Sequence, residues 1–256
     1  MLRPALIPFF IFLVALCAFG GCARDDAQTP IADQGAAPSP DHTRPPPDPE
    51  MIALHRKIMY GQATLAEVRQ ALTDPDIGEL TNTVHGLYSM RWHRGVYNLI
   101  FDLWGLRREK YPELQWRQFE KAPVRLALAS TIIRVQPQDN AEYVDYLREH
   151  RYDEHEFHRA QVVVGLGFKA ALQDLDYIYE MASGDNAFVA QSAITALGLM
   201  NIPPAKEALI RMQEERPDDP RTQIVLEVLR RIYNWPEPPS PSSPAQPQPE
   251  ATGATN

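Results

Sequence analysis

The sequence predicts an all-α chain, an α-solenoid of stacked helical hairpins, and three observations carry that expectation. Apolar residues recur at helical spacing, as in Ile224, Val225, Val228, Leu229 and Ile232 on one face. Strand alternation is not evident over any comparable length. Finally, the segment "FHRAQVVVGLGFKAALQDLDYIYEM" from Phe157 aligns with "FVAQSAITALGLMNIPPAKEALIRM" from Phe188 at an offset of 31 residues. The offset pairs Phe157 with Phe188, Val162 with Ala193, Leu166 with Leu197, Gly167 with Gly198, Ile178 with Leu209 and Met181 with Met212. A second step takes Ala193 to Ile224 and Leu197 to Val228. Upstream, "VRLALASTI" from Val124 keeps the rhythm with Leu128 and Ile132, at a slightly longer spacing. Two helices per period of about 31 residues indicate a helical solenoid. One such unit cannot bury its apolar face alone, so neighbours must stack.

The chain opens on a different kind of segment. Arg3 is the only charge before Arg24, and Ala5 to Phe19 is almost wholly apolar. That run is shorter than the roughly 20 residues a membrane-spanning helix needs. With its basic start and small-residue end it fits a secretory signal. Gly20-Gly21-Cys22 resembles the lipobox of bacterial lipoproteins, with Phe19 where that family usually has Leu, Val or Ile. The resemblance implies cleavage before Cys22, acylation of Cys22, and a mature chain that begins there. Ala23, rather than Asp, follows the cysteine. In Gram-negative lipoproteins that implies the outer membrane, facing the periplasm. Several acyl chains hold a protein stably where one does not.

Residues 1–21 are thus expected to be a lipoprotein-type signal peptide, and residues 22–50 a lipidated N-terminus with a proline-rich linker. Ala27 to Pro49 holds seven prolines and a single large apolar residue, Ile31. Such a composition cannot bury enough surface to offset its ordering entropy. Residues 236–256, "PEPPSPSSPAQPQPEATGATN", read as a second tail of the same kind. Between them, residues 51–235 suffice for one sizeable core. Helix starts are expected at four capping-box patterns: Thr64-x-x-Glu67, Asp76-x-x-Glu79, Asp139-x-x-Glu142 and Asp153-x-x-Glu156. A fifth is expected at Asp219-Pro220, with proline where its missing N–H costs nothing.

The segment from Phe188 resembles a HEAT repeat of the short bacterial kind first noted in phycobilin lyases. Ala193, Ala196, Leu197, Gly198, Pro203, Ala208 and Leu209 carry the likeness: an Ala-rich first helix ending in Leu-Gly, a turn with proline, and a second apolar helix. An Arg often found early in the first helix is replaced by Ala190 or Gln191, while Arg125 and Arg221 stand near the equivalent place in other units. The good match covers about Phe157 to Trp235 and extends back toward Pro123. It implies HEAT-like hairpins with a long protein-binding surface. An exported lipoprotein has no access to phycobilisomes, so lyase activity is not expected.

Candidate chemistry is sparse. The net charge is −8, and losing Arg3 with the leader makes the remainder more acidic. Nucleic-acid affinity rests on Lys and Arg against phosphate, so no nucleic-acid partner is expected. Cys22 is the only cysteine left after processing, which excludes an internal disulfide and a thiolate metal site. Val162-Val163-Val164 before Gly165-x-Gly167-x-x-Ala170 mimics a dinucleotide fingerprint. Gly167 is in register with Gly198, however, and both are expected to end helices as C-terminal glycines do. His150, Asp153, His155 and His158 could ligate a metal, but a zinc site needs three or four converging ligands. A polar loop between repeats is the expected reading. Tyr88, Trp92, Tyr97, Phe101, Trp104, Tyr111, Trp116 and Phe119 could line a groove, or form core and cap the stack. No catalytic residue, metal or cofactor is assigned. The expected function is a non-catalytic, membrane-anchored periplasmic scaffold or adaptor that binds other envelope proteins. The alternative is a metal-dependent enzyme or metal-binding factor using the His150–His158 cluster.

Overall fold

The computed structural model describes residues 48–234, and all regular structure among them is helical. The leader, Cys22, the linker up to residue 47 and the tail from residue 235 lie outside the described residues. Among the described residues no helix is long and apolar enough to cross a membrane.

Twelve α-helices follow one another among the described residues. The first five are α1 (Pro49–Met59), α2 (Leu65–Ala71), α3 (Ile77–Gly86), α4 (Arg94–Trp104) and the single turn α5 (Trp116–Phe119). Then come α6 (Ala122–Val135), α7 (Ala141–Glu149), α8 (Glu156–Lys169), α9 (Leu175–Ser183), α10 (Ala187–Met200), α11 (Pro203–Glu215) and α12 (Thr222–Tyr233). Short 3₁₀ turns at Leu87–Met90, Arg108–Lys110 and Leu172–Asp174 join some of them.

The expected caps form in part. Thr64 and Glu67 make the full reciprocal box at the start of α2, with the Thr64 N–H donating to Glu67 at 2.7 Å and the Glu67 N–H to the Thr64 hydroxyl at 3.2 Å. Asp76 caps α3 through the Glu79 N–H at 2.9 Å. Glu79 does not reach back; its Oε2 lies 3.0 Å from Nδ1 of the buried His55. The other two boxes do not form. Asp139 takes a left-handed conformation (φ 51°), so α7 starts after Asn140, and Glu142 accepts from the Trp104 indole N–H at 2.8 Å. Asp153 accepts the His155 N–H at 2.9 Å instead of capping α8, and Glu156 accepts from the Asn186 amide. In both, a partner from elsewhere in the fold takes the acid that the local pattern reserved for the cap. Pro220 precedes α12 rather than entering it; the helix begins at Thr222, while Asp219 holds Arg221.

Packing links helices one hairpin apart. α3 lies on α6, α6 on α8, α8 on α10, and α10 on α12, while α7 and α9 flank α8 and α10 and α11 flanks α10 and α12. The offset of 31 is visible in space, because the Phe157 and Phe188 rings stack with centroids 6.4 Å apart and planes within 11°. The paired glycines are not helix terminators. A Cβ on Gly167 would lie 2.8 Å from Ala196 Cβ and 2.9 Å from the Ala196 carbonyl oxygen, and one on Gly198 would lie 2.6 Å from Val228 Cγ1. They are the points where α8 meets α10 and α10 meets α12. The helices end a turn later on Ala170 (φ 55°), Asn201 (φ 48°) and Asn234 (φ 51°), all left-handed. The Val162–Ala170 fingerprint is likewise one continuous helical run up to its cap, not a strand and a phosphate turn.

Two apolar clusters share α6. Ala127, Leu128 and Ile132 pack with the residues of α1–α5, while Leu126, Ala129 and Ile133 pack with those of α7–α12. The early arginines act as ties: the Arg125 guanidinium donates to the Trp104 carbonyl at the end of α4 at 2.6 Å, and Arg221 donates to the Gly184 carbonyl after α9 at 2.6 Å. Each satisfies a carbonyl that a helix end leaves without an internal partner.

Candidate binding surface

The sequence-derived candidates separate in space. His158 Nδ1 lies 3.1 Å from Asp153 Oδ1, and its ring meets His155 edge-on at 5.0 Å. His150 belongs elsewhere: its Nδ1 is 2.8 Å from the Tyr146 carbonyl oxygen and its ring lies against that of Tyr146. Among the described residues no group of three or more His, Cys, Asp or Glu side chains is placed to hold a metal ion.

The aromatic set divides into two groups by role. Trp116 and Phe119 are core. Tyr111 accepts the Trp116 indole N–H on its carbonyl at 2.9 Å and donates its hydroxyl to Asp102 at 3.0 Å. Tyr97 packs on Phe101 with ring centroids 5.1 Å apart. Trp104 packs edge-on to Tyr143 and Tyr146, under the Arg125 guanidinium at 3.5 Å. These residues tie α4 to α6 and α7. Tyr88 and Trp92 do something different.

Around them lies a row of five side chains that alternate ring and cation. The Arg91 guanidinium sits 4.6 Å from the Trp92 ring and 4.2 Å from the Tyr88 ring. Arg134, from the end of α6, lies 3.7 Å from that same Tyr88 ring and 4.3 Å from Phe168 of α8. The fold makes this row by bringing three chain segments together. The 3₁₀ turn after α3 carries Tyr88, and the last turns of α6 and α8 carry Arg134 and Phe168. Trp92 is 83 % exposed, although large aromatic side chains usually bury most of their area.

The electrostatics of the row are lopsided. Among the described residues neither Arg91 nor Arg134 has a carboxylate partner, and the Arg134 Nε–H is buried with no acceptor. Burial, with repulsion from Arg91, brings the Arg134 guanidinium down to about 10. Burial and then the nearby Arg134 push the His85 imidazole down to about 3, so that ring is neutral near pH 7. Elsewhere some arginines hold acids, as where Arg148 and Arg151 both hold the fully buried Asp174, and others, such as Arg125 and Arg216, donate to backbone carbonyls. Among the described residues Tyr88 is the one ring that two guanidiniums share, and neither of them holds an acid.

Sequence reasoning found Tyr88 and Trp92 but missed Arg91, Arg134, Phe168 and His85. One signal was available for Arg134: a charge directly after Ile132-Ile133, inside an apolar helix. No family model matches the chain, and neither a curated protein nor a solved structure shows significant similarity to it.

Proposed function

We propose that the chain is a non-catalytic scaffold or adaptor, built as a HEAT-like α-solenoid, anchored through lipid on Cys22 to the outer membrane and facing the periplasm. There it binds other envelope proteins through the surface of its stacked helices. The observation that carries this reading is the repeated contact pattern. Phe157 stacks on Phe188, Gly167 meets Ala196 and Gly198 meets Val228, each joining a unit to the next. A stack held by nearest-neighbour contacts grows along one dimension and presents an extended surface, as repeat proteins use for binding. The histidine region supports the same reading, since His158 is engaged with Asp153 and His150 with Tyr146.

The test is in-cell crosslinking of the wild-type chain, followed by pull-down and mass spectrometry of the envelope fraction, with Cys22→Ser as the tethering control. Envelope proteins captured reproducibly by the wild type and lost from Cys22→Ser support the adaptor and its anchor together. Capture that survives Cys22→Ser removes the anchor from the mechanism. No captured protein in either form overturns the adaptor.

A further inference from the structure

We propose that the row Trp92–Arg91–Tyr88–Arg134–Phe168 is the docking site for an extended acidic peptide segment of a protein partner, with two carboxylates on the two guanidiniums. The inference rests on the adaptor reading and names the chemistry of its partner.

The argument starts from what the two arginines lack. Arg134 is enclosed between the Tyr88 and Phe168 rings, yet its Nε–H has no acceptor. A buried charged donor left unpaired is among the costlier features a fold can keep. It is kept here beside a second cation, Arg91, which raises the cost further. The Arg134 Nη donors, unlike its Nε, are not among the buried atoms and make no hydrogen bond, so a carboxylate docked on them would offset the repulsion between the two cations. Stacking also leaves the guanidinium ready for that ligand: rings occupy its faces, while its Nη donors lie in its own plane at the edge the rings leave uncovered. Those in-plane donors match the two oxygens of a carboxylate. Arg91 spends one Nη1 donor on the Tyr88 carbonyl at 3.1 Å and keeps the rest.

The shape of the row favours a peptide over a compact anion. The two cations share one ring and are flanked by Trp92 and Phe168, so the site is a strip of alternating charge and aromatic surface. Acidic side chains spaced along an extended backbone meet the cations, and an apolar or proline side chain between them meets a ring. Exposed Trp92 is the anchor type most often found at the centre of interfaces. The charge of the whole chain favours a short segment over a phosphate-rich surface. At a net −8, the protein as a whole repels an anionic membrane or polyanion. A short acidic peptide senses little beyond about 10 Å at 0.1 M salt, and so sees mainly the strip.

The experiment is fluorescence anisotropy on the full chain, in detergent with a labelled short peptide of alternating Glu and Pro, its Gln–Pro counterpart and competing inorganic phosphate, and with the detergent removed for phosphatidylglycerol vesicles. The Glu–Pro peptide is expected to bind, with affinity that falls as salt rises, and the Gln–Pro peptide is not. Arg91→Gln and Arg134→Gln should each weaken binding about tenfold or more, the weight of a charge-assisted hydrogen bond. Trp92→Ala should weaken it several-fold. Trp92 is exposed and Arg91 only half-buried, so circular dichroism of those two variants should match the wild type, and their losses then report the site. The proposal is overturned if the Glu–Pro peptide does not bind, binds Arg91→Gln as well as wild type, or binds no better than Gln–Pro. Binding to vesicles or phosphate that depends on these arginines and exceeds peptide binding overturns it too. In each case envelope partners captured by crosslinking would still stand, through another face.

Discussion

Gly167 and Ala170, one turn apart at the end of α8, carry opposite conformational demands. Gly167 has no room for a Cβ, because the contact at 2.9 Å is with the backbone oxygen of Ala196, which cannot rotate away. Gly167→Ala should therefore cost about 1–3 kcal/mol, the price of overpacking a close contact. That outweighs the gain of under about 1 kcal/mol from a better helix former. Gly198→Ala meets only the ends of the Val228 and Ile232 side chains and should cost less. Ala170 has the reverse problem, holding φ 55° where glycine would be unstrained. Ala170→Gly should be neutral to stabilising, by up to about 1 kcal/mol. Urea unfolding of the three variants checks the order; equal costs at Gly167 and Gly198 would show that the Ala196 backbone does yield. His85 gives a pH prediction at the same scale. Its folded value, about 3, lies below the ordinary 6.5, so between those values the unfolded chain binds the proton and the folded chain does not. Stability should be full above about pH 6.5 and decline as pH falls toward 3. His85→Leu should flatten that decline between pH 6.5 and 4, measured as thermal midpoint against pH; an unchanged slope would assign the acid sensitivity to other groups.

At the scale of elements, the fold shows which local signals survive tertiary contact. The capping box at Thr64 was legible because Glu67 serves the cap through Oε2 and takes Lys57 on its other oxygen, Oε1, at 2.7 Å. The same pattern fails at Asp139, whose backbone is left-handed while Glu142 takes Trp104, and at Asp153, which takes the His155 N–H while Glu156 takes Asn186. The helical period and the offset of 31 were legible because burial repeats with the helices. The role of the paired glycines was not, since a glycine near a helix end reads as a terminator until the neighbouring helix is in place. The buried ion triad was also not legible. Asp174 is fully buried and held by Arg148 (2.9 Å) and by Arg151, tying the end of α7 to the entry of α9. Its arginines stand more than twenty positions away, beyond any local pattern. Asp174→Ala should cost about 3 kcal/mol or more, because it leaves two guanidiniums facing each other without their acid. A urea midpoint close to wild type would show that solvent screens the two arginines once Asp174 is gone. The candidate strip follows the same logic: Tyr88, Arg91 and Trp92 are neighbours in sequence, but the pairing of Tyr88 with Arg134 and of Arg134 with Phe168 appears only when α6 and α8 are placed beside the turn after α3.

Across the whole molecule, stability should be greatest in the middle and least at the ends. α6, α8 and α10 each bury a continuous run, Leu126–Ile133, Ala160–Gly167 and Ser192–Gly198, because helices press on them from several sides. α1 buries only Leu54, His55 and Ile58, and α12 only Thr222, Val225, Val228 and Leu229. Local opening is easiest where few apolar contacts must break. Native-state hydrogen exchange should therefore be slowest in α6, α8 and α10 and fastest in α1, α2 and α12. The shared helix adds a sharper test. Leu128 faces the cluster of α1–α5, but α6 also supplies Leu126, Ala129 and Ile133 to the other cluster. Leu128→Ala should cost about 2–5 kcal/mol, as for other buried leucines. If α6 couples the two clusters, that loss should also speed exchange in α8 and α10, which Leu128 itself does not join. Acceleration confined to α1–α6 would mean that the clusters open independently. The surface along the stack would then be two separate platforms, with the Tyr88–Arg134–Phe168 strip lying across their junction.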